Sequence, residues 1–198
     1  MKKYIYLSIF FLLIGLFITT AQAKPSGWEF DEAHSRIYFD IRHTFAMVRG
    51  QFDDFSGNIV IDPVNNAVVQ CDMEIRVESI NTGIQKRDNH LRSKDFFDVE
   101  QYPLMKFLSR EVKHIGGNRY EIIGYLTIKD VTQKIIVPFT FLGIRDNPLD
   151  PNQRVAGYEG KFTIDRLAFH VGTGQFSDMG AVGKDVDIIV TFEVLNNN

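Results

Sequence analysis

The chain has 198 residues, 44% hydrophobic and 24% charged, with 22 Lys and Arg against 25 Asp and Glu for a formal net charge of −3. That length suits one domain with a sizeable core, and the acidic excess argues against nucleic acid as a partner. A lone cysteine, Cys71, excludes an intramolecular disulfide framework.

At the N-terminus, Lys2 and Lys3 precede an apolar stretch from Tyr4 to Ile18, and Ala21-Gln22-Ala23 supplies small residues for cleavage. The pattern predicts a signal peptide over residues 1–23, cut after Ala23. Its apolar run is shorter than the roughly 20 residues a span needs, so no integral membrane anchor is expected. Removing 23 of 198 residues leaves 175, with 20 basic and 25 acidic side chains. A single domain over 24–198, released into a bacterial periplasm, is the expectation.

Beyond that point the apolar residues repeat every second position, the mark of strands. Ile37, Phe39 and Ile41 alternate with Tyr38 and Asp40, and Val48, Gly50 and Phe52 continue in one phase. Phe55, Gly57, Ile59 and Ile61 fall in the other phase, so Asp53-Asp54 marks a bulge or corner. Val69, Cys71, Met73, Ile75 and Val77 alternate with polar residues through Glu78. Gly83 to Phe97 is the one helix-like segment, with Ile84, Arg87, His90 and Leu91 spaced for a single face.

Leu104 to His114 reads as a strand, Gly116-Gly117-Asn118 as a hairpin turn, and Tyr120, Ile122, Gly124, Leu126 and Ile128 as an inward row. Gln133 to Ile144 follows, with Phe139 and Phe141 inward, and Arg145 to Gln153, carrying Pro148 and Pro151, reads as a loop. Val155 to Ile164 and Asp185 to Leu195 are the last strands. About eight strands joined by short turns point to an all-β sandwich or an up-and-down antiparallel barrel, with a short helical insertion between strands three and four. A membrane-embedded barrel would turn apolar residues outward. Here Glu74, Arg76, Glu78, Asp185, Asp187 and Glu193 occupy the outer phase.

Chemistry is hard to find in the spacing. His34, His43, His90, His114 and His170 are scattered without a short metal-ligand interval, and there is no Gly-x-Ser-x-Gly elbow. Cys71 sits on the inward phase of a regular strand, as a small buried apolar side chain does. No metal or catalytic group is expected. The densest polar cluster is Arg87 to Asp95, followed by Phe96-Phe97-Asp98 and Tyr102-Pro103.

Thr82, Arg87-Asp88-x-His90-Leu91, Asp95-Phe96-Phe97-Asp98 and Tyr102-Pro103 resemble the signature of the YceI-like polyisoprenoid-binding family. Trp28-x-Phe30-Asp31-x-x-His34-Ser35, Phe39-x-Ile41-x-His43, Gly50-x-Phe52-x-x-Phe55-x-Gly57 and Gly124-x-Leu126-Thr127-Ile128 with Val131-Thr132 are similar to its other motifs, in order. Two places depart: Lys129-Asp130 stands where His-Gly is usual, and Arg166-Leu167-Ala168-Phe169-His170 where the family has Arg-x-Asp-Phe-Gly. Both fall near the expected barrel rim.

The resemblance implies an eight-stranded lipocalin-like barrel, exported to the periplasm, that holds a polyisoprenoid or similar long-chain lipid, with no cofactor besides that lipid. The expected wall of the cavity is Phe39, Ile41, Phe52, Met73, Ile75, Phe107, Leu126, Phe139, Phe141, Phe162 and Phe192. His43, Arg87, His90, Arg92 and Lys94 are the candidates for a polar head group, with a structural Arg87–Asp88 ion pair as the competing role. The same phenylalanines could instead fill a dry core, making an interaction barrel, and an enzyme using His43, His90 or Asp88 is the other alternative. A homodimer is compatible with all three.

Overall fold

The computed structural model describes residues 26–62 and 67–197; the predicted signal segment lies outside them. Eleven strand segments follow in order: β1 (Ser26–Phe30), β2 (Arg36–His43), β3 (Ala46–Phe52), β4 (Phe55–Ile61), β5 (Val68–Arg76), β6 (Ile80–Asn81), β7 (Leu104–Gly116), β8 (Arg119–Ile128), β9 (Val131–Asn147), β10 (Asp150–Asp165) and β11 (Val182–Asn197). Helix α1 (Gln85–Arg92) lies between β6 and β7, and α2 (Gln175–Asp178) between β10 and β11.

The segments combine into eight staves. β11 pairs with β10 along one edge; along the other it meets β2 near its start and β1 near its end. In the same way β3 pairs with β2 while β4 pairs with β1, and β5 pairs with β4 while β6 pairs with β3. Each of these couples is one bent stave, and with β7 to β11 they close an antiparallel barrel in which every stave neighbours the next in sequence. The expected eight-stranded class with a helix between the third and fourth staves is the class observed.

The bends have local causes. Between β1 and β2 the chain leaves the sheet, and fully buried Ser35 anchors it: its hydroxyl donates to Glu193 O (2.9 Å) and accepts from Glu193 N–H (3.1 Å). Asp53-Asp54 is the corner between β3 and β4, with Asp53 N–H donating to Ser79 O and Arg76 N–H to Asp54 O.

Three local expectations are corrected. Val69 is 46% exposed: Ile61 faces Val68 while Val60 faces Gln70, so Val69 is the extra residue of a bulge and the alternation slips there. Arg145–Gln153 is no loop, because β9 runs to Asn147 and β10 resumes at Asp150. Pro148 occupies the turn and Pro151 the stretch where register shifts, so neither removes a needed ladder bond. The helix covers only Gln85–Arg92; Ile84 is its exposed N-cap, and its inner face is Arg87, Asp88 and Leu91.

Apolar residues face inward and Glu74, Arg76, Glu78, Asp185 and Glu193 are exposed on the outside, the reverse of a membrane barrel. No helix among the described residues is long and apolar enough to cross a membrane. One ladder is incomplete: β9 and β10 pair only as far as Phe139↔Gly160, and the next residue, Pro138, contributes no N–H. Gln133 Nε2 donates to Ala168 O (2.8 Å), tying that part of β9 to the 3-10 turn Arg166–Phe169 after β10.

Gly57 shows how tightly the staves approach. A Cβ there would lie 2.3 Å from Asp72 O and 3.1 Å from Met73 Cα, both backbone atoms of β5. Gly57→Ala should therefore cost about 1–3 kcal/mol in urea unfolding. Gly27→Ala, whose Cβ would meet Asn58 Oδ1 at an ordinary 3.6 Å, should stay within about 0.5 kcal/mol of the parent. Equal effects of the two substitutions would contradict this packing.

Candidate functional site

The barrel encloses a cavity of about 540 Å³. Phe39 and Ile41 from β2, Phe52 from β3, Met73 and Ile75 from β5, Phe107 from β7, Leu126 from β8, Phe139 from β9, Phe162 from β10 and Phe192 from β11 all line it. Period-two alternation on every stave brings them to one hollow. Phe141 does not line it: in the same register as Phe139 and packed against the core, it lies further along β9 from the helical end, with its ring on Tyr158 at 5.4 Å.

The two ends differ. Away from the helices, aromatic rings do the filling: Tyr120 stacks on Phe139 (5.2 Å), Phe139 meets Tyr158 (6.0 Å), and Phe30, Phe55 and Phe192 form a second group at 4.9 to 5.8 Å. At the helical end the lining includes His43, Arg87, His90, Leu91, Phe176 and Met179. His43 and His90 are exposed there. The Thr44 N–H donates to Ala181 O (3.0 Å), joining the β2–β3 turn to the segment after α2.

Of the head-group candidates, His43, Arg87 and His90 reach the cavity, while Arg92 and Lys94 do not line it. Arg92 serves the frame, with Nε donating to Glu78 O and Nη2 to Ile80 O, both at 2.8 Å. Among the described residues Arg87 and Asp88 form no ion pair; both hold Thr82. Asp88, buried, accepts the Thr82 N–H (2.9 Å) and hydroxyl, while Arg87 donates through Nε to Thr82 Oγ1 (2.7 Å) and through Nη2 to Thr82 O (2.8 Å). The signature around α1 thus fixes the helix over the barrel end through a hydroxyl.

The two departures from the family pattern meet in space. Lys129, at φ 53° in the β8–β9 turn, donates through Nζ to Phe96 O (2.8 Å) and His170 O (2.7 Å). Asp130 meets His170 Nδ1 at 3.1 Å. Residue changes 40 positions apart are therefore one latch at the rim, invisible to a reading that takes each in turn.

Sequence reasoning also passed over Arg166, which lines the cavity at 4% exposure. Its Nε donates to Gly183 O (2.8 Å) and its Nη1 to Val171 O (2.7 Å). Its Nη2 has no partner among the described residues. An arginine in phase with inward Phe162 and Ile164, one residue past the end of β10, is the signal that could have flagged it.

Little here favours covalent chemistry. Burial, with the neighbouring Asp72 charge, pushes the Cys71 thiol up from 9.0 to about 12. Asp31, His34 and Glu193 bring ligating atoms within 4.8 Å of one another, on the outer side of the β1–β2 excursion, where His34 Nδ1 already pairs with Asp31 Oδ2 at 2.7 Å. For the thiol, a rise of three pH units leaves roughly a thousandfold less thiolate. Iodoacetamide at pH 8 should accordingly modify Cys71 about a thousandfold more slowly in folded protein than in urea; comparable rates would show that this end of the hollow opens to solvent.

Comparison with known proteins follows the same lines. A family model described as YceI-like domain matches residues 28–194. Protein YceI of Salmonella newport is 30% identical over 186 residues, covering 92% of this chain and 94% of that protein. The crystal structure of BcnA from Burkholderia cenocepacia aligns with a TM-score of 0.71 at 28% identity, over 85% of this chain and 99% of its own. A polyisoprenoid binding domain from Saccharophagus degradans, implicated in plant cell wall breakdown, shares the fold at TM-score 0.59 and 15% identity, over 86% and 98% of the two chains. With matched residues reaching from the first stave to the last, and the same barrel in its solved relatives, the chain belongs to the YceI-like domain family.

Proposed function

We propose that this protein is a lipid-binding barrel, exported to the periplasm, that shelters the apolar tail of a polyisoprenoid or similar long-chain amphiphile. The observation that carries the reading is the cavity of about 540 Å³ walled by inward phenylalanines and aliphatic side chains. A core built only for stability closes to near-crystalline density and leaves no such volume. The polyisoprenoid binding domain from Saccharophagus degradans is built on the same fold, which supports the reading from outside.

Volume sets the scale of the tail. At the roughly 30 Å³ that a water-sized group occupies, the hollow accommodates about 18 such groups, or about four isoprene units. Each buried methylene contributes roughly 0.8 kcal/mol, a gross gain of about 14 kcal/mol, of which ordering and immobilisation cancel a large part. Affinity therefore comes from non-directional burial, and the polar groups at the helical end orient the head. A longer chain would have to run out through that end.

Native mass spectrometry of protein recovered from the periplasm should show a chain starting at Lys24 with one co-purifying lipid. Protein that carries no lipid and takes up none from isoprenoid-containing vesicles would refute the proposal. Ile41, half-buried on the cavity wall, provides a check on location. Ile41→Trp should fill part of the hollow and weaken lipid binding at least about tenfold while thermal stability changes little.

A further inference from the structure

The wall of the barrel has a gap between β9 and β10. Their ladder stops at Phe139↔Gly160, so residues 131–138 of β9 and 161–165 of β10 have no pair in register across it, although β8 and β11 hold their far edges throughout. Pro138 gives the reason. A Cβ on Gly160 would lie 2.9 Å from Pro138 O, so the main chain of Pro138 is turned toward β10, and the N–H it lacks is the one that would have continued the ladder. The Phe141 N–H, donating to Asn118 O on the β8 side, fixes the same parity: odd positions of β9 bond toward β8, and Thr132, Lys134 and Ile136 turn their main chain to the gap.

The side chains around the gap divide by face. Outside, Thr132 turns to the Thr127 hydroxyl (2.8 Å), and Lys161 and Thr163 both turn to Asp187 of β11 (2.9 and 2.7 Å), all of them away from the gap. Inside, Ile135 and Val137 border it from β9 and Phe162 and Ile164 from β10, each half-buried and each lining the hollow. Glu159, exposed and on the outward phase, lines that same hollow, which therefore reaches the outer face beside the end of the ladder. Toward the rim the two edges are tied through side chains: Gln133 Nε2 donates to Ala168 O (2.8 Å), Lys129 Nζ donates to His170 O (2.7 Å), and Asp130 meets His170 Nδ1 (3.1 Å).

Resting on the lipid-binding reading, we propose that this gap is a slot through which the apolar chain passes sideways into the barrel, and that Gln133 and the rim latch close it. Parting β9 from β8, or β10 from β11, would break a continuous ladder along these same residues. Parting β9 from β10 costs the Gln133–Ala168 bond and the latch and leaves every ladder intact, so it is the low-energy opening of the wall. Ile136, 53% exposed on the outer lip, offers an apolar step to an incoming chain. The seated chain still runs toward the helical end; the slot is its way in and out.

All-trans-retinol, a fluorescent isoprenoid alcohol, mixed by stopped flow with the full-length exported protein reads both rates. Ile136→Glu, which puts a charge on the apolar lip, should slow association and dissociation together by at least about tenfold, and Gln133→Ala, which removes a tie, should speed both by about threefold, with Kd within about twofold of the parent in each. Leu108→Glu, the same change at an exposed position of β7 that is paired on both edges, should leave both rates as they are. Parental rates in both Ile136→Glu and Gln133→Ala, with binding intact, would overturn the slot and leave the lipid barrel standing. A shift in Kd carried by one rate alone would overturn it as well, because a passage changes both rates equally and a wall of the site does not. Failure of the parent to bind either retinol or geranylgeraniol would overturn the slot and the lipid barrel together.

Discussion

Everything in this molecule depends on β11 finding backbone partners along both of its edges. One edge is filled by β10 over thirteen consecutive pairs, while the other is shared by two separate segments, β2 and β1. A sheet of this width left open would expose two rows of unpaired N–H and C=O groups, and closure removes them. The join between β1 and β2 is the delicate point, because the chain departs from the sheet there and leaves the main chain of Glu193 without a ladder partner on that edge. Ser35 supplies one with a single hydroxyl that both donates and accepts. A buried polar side chain is thus explained by the backbone it completes.

Closure has a consequence for the interior. Eight staves set a diameter that side chains can fill or that can leave room for one ligand. Here the choice differs along the axis. Toward the end away from the helices, Tyr120, Phe139, Tyr158 and the Phe30–Phe55–Phe192 group pack against their aromatic neighbours, with Phe139, Tyr158 and Phe192 also bounding the hollow. Toward the helices, Phe52, Phe107 and Phe162 stand as wall, and the hollow between them persists. The same residue type, on the same inward phase, is filling in one layer and lining in the next.

The helical end gathers polar groups that a dry hollow would otherwise exclude. Thr82 ties Arg87 and Asp88 into one unit, so two charges that would repay poorly as a lone buried pair are each satisfied by a hydroxyl and main-chain groups. Lys129, Asp130 and His170 latch the β8–β9 turn to the segment that follows β10. That segment begins with Arg166, buried with its Nε and Nη1 held by the carbonyls of Gly183 and Val171.

The period-two rhythm and the corner at Asp53-Asp54 narrowed the chain by themselves to about eight strands in a sandwich or a barrel with one helical insertion, because alternation is a property of neighbouring residues; the choice of a barrel rested on the resemblance carried by the motifs from Trp28 to Thr132. Where the rhythm slips, local information ended: the bulge at Val69 and the register shift between Gly157 and Tyr158 are decided by what the partner strand presents across the ladder. At the polar end the contacts of Thr82 with Arg87 and Asp88 are local, spanning five and six residues, whereas the joining of Lys129 to His170 and the carbonyl partners of Arg166 were decided by tertiary structure, because those groups come within about 3 Å from parts of the chain separated in sequence, a proximity that exists only once the barrel is closed.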